Sequence, residues 1–281
     1  MQLGLSCMEV IAATGGRLHA AMTIPDDKGL RKSGRVFIGD HCTRHGITLG
    51  RFRNINDADA VAWLRAQELD WLFIIGWSQI AGPDVLASVR QGAIGMHPTL
   101  LPQGRGRAAI PWAILKGLDR TGVTMFKLDA GVDSGPIIAQ REVAIGPRET
   151  ATTLYARVES AHRELMRDAW SNLSAGRVTL TAQDESQATY WPGRTPEDGR
   201  LLPTMTVAEA DRLVRAVTAP YPGAFIDGPD GRLRVWEAVP AGTREAAQAE
   251  SRVVHEPPQR LRFADGELVV LRADREPTTV A

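Results

Sequence analysis

The first 180 residues alternate short apolar runs with amphipathic stretches, the pattern of a sheet built from crossover units. Trp71 to Ile75 is a continuous apolar run closed by Gly76, which predicts a strand buried on both faces. The same pattern predicts further strands at 17–24, 35–38, 93–96, 121–128 and 137–143, and helices at 57–69, 83–89, 109–116 and 149–173. We therefore expect an α/β domain with a mostly parallel sheet.

The pattern changes after residue 183. Residues 183–203 contain three prolines and many polar side chains, which is typical of a connector. A helix is then predicted at 206–217, followed by β-rich pieces at 224–226, 233–239, 252–254 and 267–271. Short, evenly spaced strands indicate a small barrel or sandwich. The predicted organisation is a first domain at 1–183, a linker at 184–204 and a small β-rich domain at 205–281.

Composition narrows the classes of function. The 281 residues carry 33 basic and 33 acidic side chains, which argues against a strongly basic nucleic-acid coat and an acidic disordered tail. No window approaches the roughly 18 apolar residues that a membrane helix needs. Two cysteines without paired Cys/His spacing argue against a disulfide framework or a zinc site. Because the start lacks a basic region followed by an apolar run, we expect a cytoplasmic protein.

Two loops carry the candidate chemistry. In the first, residues 95–102 (GMHPTLLP), His97 ends a predicted buried strand, where open α/β sheets bind ligands. Such a histidine is either a general acid or base, or a turn residue satisfied by backbone groups. The following Gly-Arg-Gly-Arg stretch at 104–107 either binds an anion or is a solvated loop.

The second loop, residues 129–135 (DAGVDSG), combines two aspartates with two glycines between predicted strands. A carboxylate in such a loop can hold an imidazole in one tautomer. Taken alone, the loop is equally a simple turn or a weak cation site, and it lacks the 12-residue calcium-loop register.

Taken in order, these motifs resemble the N10-formyltetrahydrofolate-dependent formyltransferases. In that family a His-Pro-Ser-Leu-Leu-Pro-type motif precedes an Asp-Glu-Gly-Leu-Asp-Thr-Gly-type motif, and His97 and Asp133, 36 positions apart, have a similar spacing. The resemblance continues at 109–114, 121–124, 190–200 and 215–225. The last two blocks resemble formyltransferases that act on 4-amino-4-deoxy sugar nucleotides. The resemblance implies a Rossmann-like catalytic domain followed by an OB-like barrel.

The resemblance also implies site residues. His97 assists proton transfer and stabilises the oxyanion, and Asp133 orients it. The formyl donor N10-formyltetrahydrofolate is expected against Ile75, Gly76, Trp77, Leu128, Asp129, Gly131, Val132 and Gly135. The acceptor is expected at Thr99, Leu100, Gly104, Arg105, Gly106 and Arg107. No metal is expected.

The chain departs from the family at two places. The family's oxyanion-stabilising asparagine, two residues before the histidine, corresponds here to Gly95. Either a backbone N–H at Gly95 or a side chain of Ser78 or Gln79 replaces that donor, or Gly95 makes room for a larger ligand. The family's first strand also has no counterpart, because residues 2–11 already resemble the helix that follows it. An absent central strand leaves apolar surface and unpaired backbone groups, so either Met1 is a late start, or the fold compensates, or this branch is one strand short.

The acceptor is expected to be a small primary amine. Residues 205–281 contain ten arginines, no lysine and twelve acidic residues, a poor platform for tRNA. A nucleotide-linked amino sugar comes first, followed by an amino acid or siderophore precursor and by methionyl-tRNA. A non-catalytic folate-binding protein is the alternative from another class. A homodimer is a further expectation from the family, and no membrane partner is expected.

Overall fold

The computed structural model describes residues 2–29, 36–77, 79–229, 231–251 and 259–276. Contacts divide the chain into two compact units, the first of Met1–Ala109, Arg120–Ala144 and Ala156–Trp191, the second of Ile110–Asp119, Ile145–Tyr155 and Pro192–Ala281. The helices are α1 Gln2–Ala13, α2 Asp26–Gly29, α3 Gly39–His45, α4 Ala58–Ala66, α5 Pro83–Leu86, α6 Ala109–Leu115, α7 Ala151–Ser174, α8 Val207–Val217 and α9 Arg244–Ser251. The strands are β1 Ala20–Thr23, β2 Thr48–Arg51, β3 Trp71–Ile75, β4 Gly92–His97, β5 Arg105–Gly106, β6 Arg120–Lys127, β7 Ile137–Ala144, β8 Tyr190–Trp191, β9 Ala224–Gly228, β10 Gly231–Pro240, β11 Arg260–Phe263 and β12 Gly266–Glu276.

The first unit is α/β, with parallel pairing in its sheets. One sheet has the order β3-β4-β6-β7, in which β3 and β4 are parallel and the other pairs antiparallel. Parallel β1 and β2 form a second sheet, and β5 pairs with β8. Strand β4 is interior and buried from Ala93 to His97, because its side chains are covered on both faces. This strand positions the candidate site.

A cavity of about 820 Å³ lies between the sheet that contains β1 and the sheet that contains β3. Its walls include β1, β3 and one side of α1. Within the described residues, β1 and β3 each pair along one edge only. Strand β3 is half-buried throughout, so the prediction that it is buried on both faces is wrong. In the described part of the chain, the first unit therefore has open strand edges and a cavity with apolar lining residues.

The second unit contains a curled antiparallel sheet in the order β11-β12-β10-β9. Register shifts between Val235 and Ala238 interrupt the β10–β12 ladder, and such irregularities increase strand twist. The sheet is a half-barrel, which agrees with the expected β-rich domain. Helix α8 packs on β10 and begins with a capping box between Thr206 and Glu209.

Several elements differ from the sequence prediction. The described part of the strand predicted at 35–38 is loop, and the strand predicted at 252–254 lies outside the described residues. Helices α3 and α9 and strands β2 and β11 were absent from the prediction. No helix in the described ranges is both long and apolar enough to cross a membrane.

Candidate active site

His97 is the last residue of β4, and its side chain is only 10% exposed. Its Nε2 lies 2.8 Å from the carbonyl oxygen of Gly104, and its Nδ1 lies 3.6 Å from Oδ2 of Asp133. A carbonyl oxygen only accepts, so Nε2 carries the proton of that hydrogen bond. The ring is held between a carbonyl and a carboxylate, surroundings suited to proton transfer.

Asp133 faces His97 from a left-handed backbone conformation, with φ of +52°. Aspartate tolerates this region better than most residues but still at a cost in free energy. Oδ2 of Asp133 accepts a hydrogen bond of 2.8 Å from the backbone N–H of Gly106. The loops that carry His97 and Asp133 are thus brought together, and a backbone amide fixes the carboxylate.

The loop between β6 and β7 is closed by its own residues. Oδ1 of Asp129 accepts from the N–H of Gly131 at 3.0 Å and from the hydroxyl of Ser134 at 2.9 Å. A Cβ on Gly135 would lie 1.8 Å from the carbonyl oxygen of Lys127, so only glycine fits there. Asp129 and Gly135 therefore shape this loop.

The other residues expected to bind folate lie beside β4 or on the surface of the loop. Ile75 pairs with Met96, and Gly76 turns the chain with φ of +64°. Trp77 is half-buried, and Leu128 lies beside Gly95. Val132 is an accessible apolar side chain, 44% exposed.

The space beside Gly95 is filled. A Cβ at this position would lie 2.9 Å from Cδ2 of Leu128 and 3.0 Å from the ring of Phe126. A larger ligand at this position would therefore have to displace the side chains of Leu128 and Phe126. Gly95 also pairs with Ile74 on one side and Phe126 on the other, so its backbone N–H belongs to the sheet.

Ser78 and Gln79 are the two side chains proposed to replace the family's asparagine amide. Ser78 lies outside the described residues. Oε1 of Gln79 accepts from the N–H of Ile55 at 2.9 Å, and its Nε2 donates to the carbonyl of Arg53 at 2.8 Å. The amide of Gln79 thus ties two loops together, and it would have to release Arg53 to donate elsewhere.

Arg105 is buried, contrary to the expectation of an exposed anion-binding residue. Its side chain is 0% exposed, and its guanidinium donates to Gln183, Glu185 and Tyr190. The hydrogen bond to Glu185 raises the pKa of Arg105, and the same contact lowers the pKa of Glu185. A substrate anion would have to displace these partners, so we assign Arg105 to the protein's own framework.

The remaining residues expected at the acceptor site surround the His97 loop. Gly104 and Gly106 contact His97 and Asp133 as described, and the side chain of Arg107 is exposed. Thr99 is buried, and Leu100 packs against Gly122.

Two polar side chains fasten the His97 loop to the sheet. Thr124 donates to the carbonyl of Thr99 at 2.7 Å and accepts from the N–H of Leu101 at 3.0 Å. Gln140 donates to the carbonyl of Leu101 at 2.8 Å. Sequence reasoning missed both, because their partners are backbone groups far away in the sequence.

Comparison with known families identifies the scaffold. A model described as formyl transferase matches residues 20–170, and one described as formyl transferase, C-terminal domain, matches residues 194–276. The chain belongs to the formyl transferase family. It is accordingly a formyltransferase, as the motifs around His97 and Asp133 predict.

Solved structures agree on the fold. WlaRD, a sugar 3N-formyl transferase, is 15% identical over 97% of this chain and 94% of its own, with a TM-score of 0.66. Methionyl-tRNA formyltransferase from Clostridium thermocellum is 20% identical over 79% and 93%, with a TM-score of 0.57. HypX from Aquifex aeolicus is 18% identical over 84% of this chain, with a TM-score of 0.64, and this chain spans 41% of its length.

Formyltetrahydrofolate is the formyl donor of this family. WlaRD was solved in the presence of dTDP and 5-N-formyl-tetrahydrofolate, and the HypX structure is a complex with tetrahydrofolic acid. Sequence identities of 15–20% indicate a shared fold but do not identify the acceptor of this chain.

Proposed function

We propose that this formyltransferase moves the formyl group of N10-formyltetrahydrofolate to a primary amine of a small molecule, a nucleotide-linked amino sugar. The observation that carries the proposal is the arrangement of His97, with Asp133 on one ring nitrogen and the Gly104 carbonyl on the other. This arrangement lies on the scaffold of a formyl transferase.

The reaction includes the transfer of a proton from the amine nitrogen to N10. The amine nitrogen attacks the formyl carbon, forming a C–N bond and a tetrahedral oxyanion. The bond between this carbon and N10 then breaks, and the proton that the amine loses ends on N10. The N–H at Nε2 of His97 exchanges the Gly104 carbonyl for the reacting group, while Asp133 keeps the ring oriented.

The accessible apolar groups near β4 suit an aromatic folate ring. Trp77 is half-buried and Val132 is 44% exposed, so both have surface that a flat ring can cover. The folate ring is accordingly proposed to pack against Trp77, Leu128 and Val132.

The charges of the second unit favour a small acceptor over tRNA. Residues 205–281 carry ten arginines against twelve acidic residues. Many of these arginines already contact carboxylates, as Arg232 does with Asp227 and Arg234 with Glu276. Binding of tRNA depends on free cations that contact phosphates, so this surface suits it poorly.

Sequence blocks and one solved structure favour an amino sugar nucleotide as the acceptor. The blocks at 190–200 and 215–225 resemble enzymes that formylate such sugars, and WlaRD matches nearly the whole chain.

The free cysteines Cys7 and Cys42 are buried, which fits a reducing compartment such as the cytoplasm.

The test is mass spectrometry after incubation with N10-formyltetrahydrofolate and a panel of amines. The panel holds 3-amino and 4-amino sugar nucleotides, ornithine derivatives and methionyl-tRNA. We expect one sugar nucleotide to gain about 28 mass units, the difference between a formyl group and the hydrogen it replaces. His97→Ala should lower this turnover by about 10²- to 10⁴-fold and leave folate binding nearly intact.

Other outcomes separate the alternatives. A product on an ornithine derivative or on methionyl-tRNA would replace the sugar as acceptor and keep the reaction. Saturable folate binding without product on any amine would favour the non-catalytic alternative, which Gly95 motivates. Undiminished turnover by His97→Ala would overturn the assigned role of His97.

A further inference from the structure

The buried guanidinium of Arg105 has all five of its N–H groups engaged. Its Nε and one terminal nitrogen donate to Oε1 of Gln183 at 3.1 and 2.8 Å. The two terminal nitrogens donate to the two carboxylate oxygens of Glu185 at 2.6 and 2.9 Å, and one also donates to the Tyr190 hydroxyl at 2.9 Å. Because the fork of donors is planar and rigid, the edge of the guanidinium formed by Nε and the terminal nitrogen that contacts Gln183 fixes the position of Oε1 of Gln183.

The side-chain amide of Gln183 is likewise fully used. Oε1 accepts the two hydrogen bonds from Arg105, and Nε2 donates to the carbonyl oxygens of Asp133 at 2.8 Å and Gly135 at 2.7 Å. The reverse orientation would set the NH₂ group against a cation and the oxygen against two carbonyls. The chemistry of the neighbours therefore allows only one orientation of this amide.

These contacts close a ring around Asp133. Its carbonyl is held by Gln183, and its carboxylate is held by the N–H of Gly106, the residue that follows Arg105. The carbonyl of Asp133 is thus anchored to Arg105 through the side chain of Gln183. Its carboxylate is anchored to the same strand through the backbone N–H of Gly106. This double anchor holds the left-handed backbone of Asp133, a conformation that carries a cost.

We propose that Gln183 is a positioning residue for the catalytic pair, and that it acts by holding Asp133 against His97. The proposal rests on the proposed function, in which His97 and Asp133 serve the chemical step. Gln183 contacts the backbone of Asp133 and Gly135 and the side chain of Arg105. Its effect on the reaction passes through Asp133.

The test is a double-mutant cycle with Gln183→Met, which has nearly the same length but no amide, and Asp133→Asn. Gln183→Met alone should lower kcat about 10- to 100-fold, since a small misplacement of a catalytic group costs this much, and change KM little. In the Asp133→Asn background the same change should have almost no further effect on kcat. Additive losses would overturn the proposal, because Gln183 would then act independently of Asp133.

A second measurement does not depend on turnover. The ¹H–¹⁵N signals of the His97 ring, assigned by comparison with His97→Ala, should move in Gln183→Met. Unchanged ring signals in the variant would overturn the proposal even if kcat falls. If the wild-type protein formylates no amine, the proposed function fails, while these signals still decide whether Gln183 positions the pair.

Two further variants guard against a simple loss of folding. Gln183→Glu keeps the length and the contact to Arg105 but places a carboxylate against two carbonyls, so it should fold and reproduce the lowered kcat. Glu185→Gln changes the same cluster away from Asp133. Because Glu185 is 67% exposed, that change should alter kcat by less than about threefold. An equal loss in Glu185→Gln would indicate a general structural role and overturn the proposal.

Discussion

At the residue scale, the residue at position 95 bears on how we expect the oxyanion to be stabilised. The resemblance implies an asparagine amide there, whereas this chain has Gly95 with Leu128 and Phe126 packed over it. The substitution and the packing belong together, because a side chain at 95 and the present position of Leu128 exclude each other. With the N–H of Gly95 in the sheet, we expect the ring N–H of His97 to carry more of the stabilisation.

Adding an amide at position 95 and making room for it at position 128 should therefore raise the rate of formyl transfer. Gly95→Asn combined with Leu128→Ala supplies an amide donor and removes the atom that lies 2.9 Å from the new Cβ. We expect kcat to rise about 10-fold or more, since one oxyanion donor is worth on the order of 10²–10³ in rate. Steady-state formyl transfer on the identified acceptor measures the effect.

The control for this experiment is Leu128→Ala alone, which makes room but adds no donor. Gly95→Asn alone should lose stability, since Phe126 and Leu128 must move. If the double variant is no faster than Leu128→Ala, an added amide at 95 does not reach the oxyanion.

The residues also show what sequence reasoning can reach at this scale. His97 and Asp133 stand in ordered motifs, so their proximity was predictable. Arg105 was misjudged because a Gly-Arg-Gly-Arg stretch is typical of exposed loops, while its burial depends on partners about 80 positions away. Gln183 lies in a polar connector, where nothing in the local pattern distinguishes it from solvated neighbours.

At the element scale, the packing of α7 places a histidine in a dry environment. His162 is 0% exposed, and its Nδ1 donates to the carbonyl of Val158 at 2.8 Å. Burial lowers the pKa of His162 to about 4. The neutral ring is therefore the form that the folded helix accepts.

The stability of the protein should reflect this histidine. The pKa is lower in the folded state than the ordinary 6.5, so the unfolded chain binds the proton first. The contribution is complete above pH 6.5 and is lost as the pH falls towards 4, by about 3 kcal/mol at most. Urea unfolding between pH 7 and 4.5 should show this fall, and His162→Phe should reduce its slope.

His19→Gln is the matched control, because His19 is exposed and should leave the slope unchanged. Some slope should persist in His162→Phe, since burial also lowers the pKa of His41. An unaltered slope in His162→Phe would show that other groups control the acid sensitivity.

Elements with strong local signals were predictable, and those that depend on tertiary contacts were not. Strands β3, β4, β6 and β7 and helix α7 follow apolar periodicity and lie where predicted within a few residues. Strand β2 was missed because it contains Gly50, where a Cβ would lie within 3 Å of the rings of Phe52 and Trp63. Helix α3 starts with glycine and owes its place to the burial of His41 and Cys42.

At the scale of the whole molecule, the first unit combines a well-packed region with an open one. Strand β4 is interior and buried, whereas β1 and β3 border the 820 Å³ cavity and are half-buried throughout. Backbone groups beside a cavity open more readily than groups inside a packed core.

Amide hydrogen exchange should reveal this contrast. Amides of β1 and β3 should exchange faster than those of β4 and β6, because each flanking strand has one edge without a partner in the described chain. Exchange followed by mass spectrometry at peptide resolution measures this. Equal protection of β3 and β4 would mean that the cavity is closed in solution.

The same cavity bears on how the protein behaves when it is concentrated. Open strand edges above an apolar floor are templates on which a strand from another molecule can form a ladder. Strands β1 and β3 both border this cavity, and each has an edge without a partner among the described residues. Self-association of this formyltransferase on storage should therefore begin at this cavity. A short apolar peptide that occupies the cavity should slow aggregation.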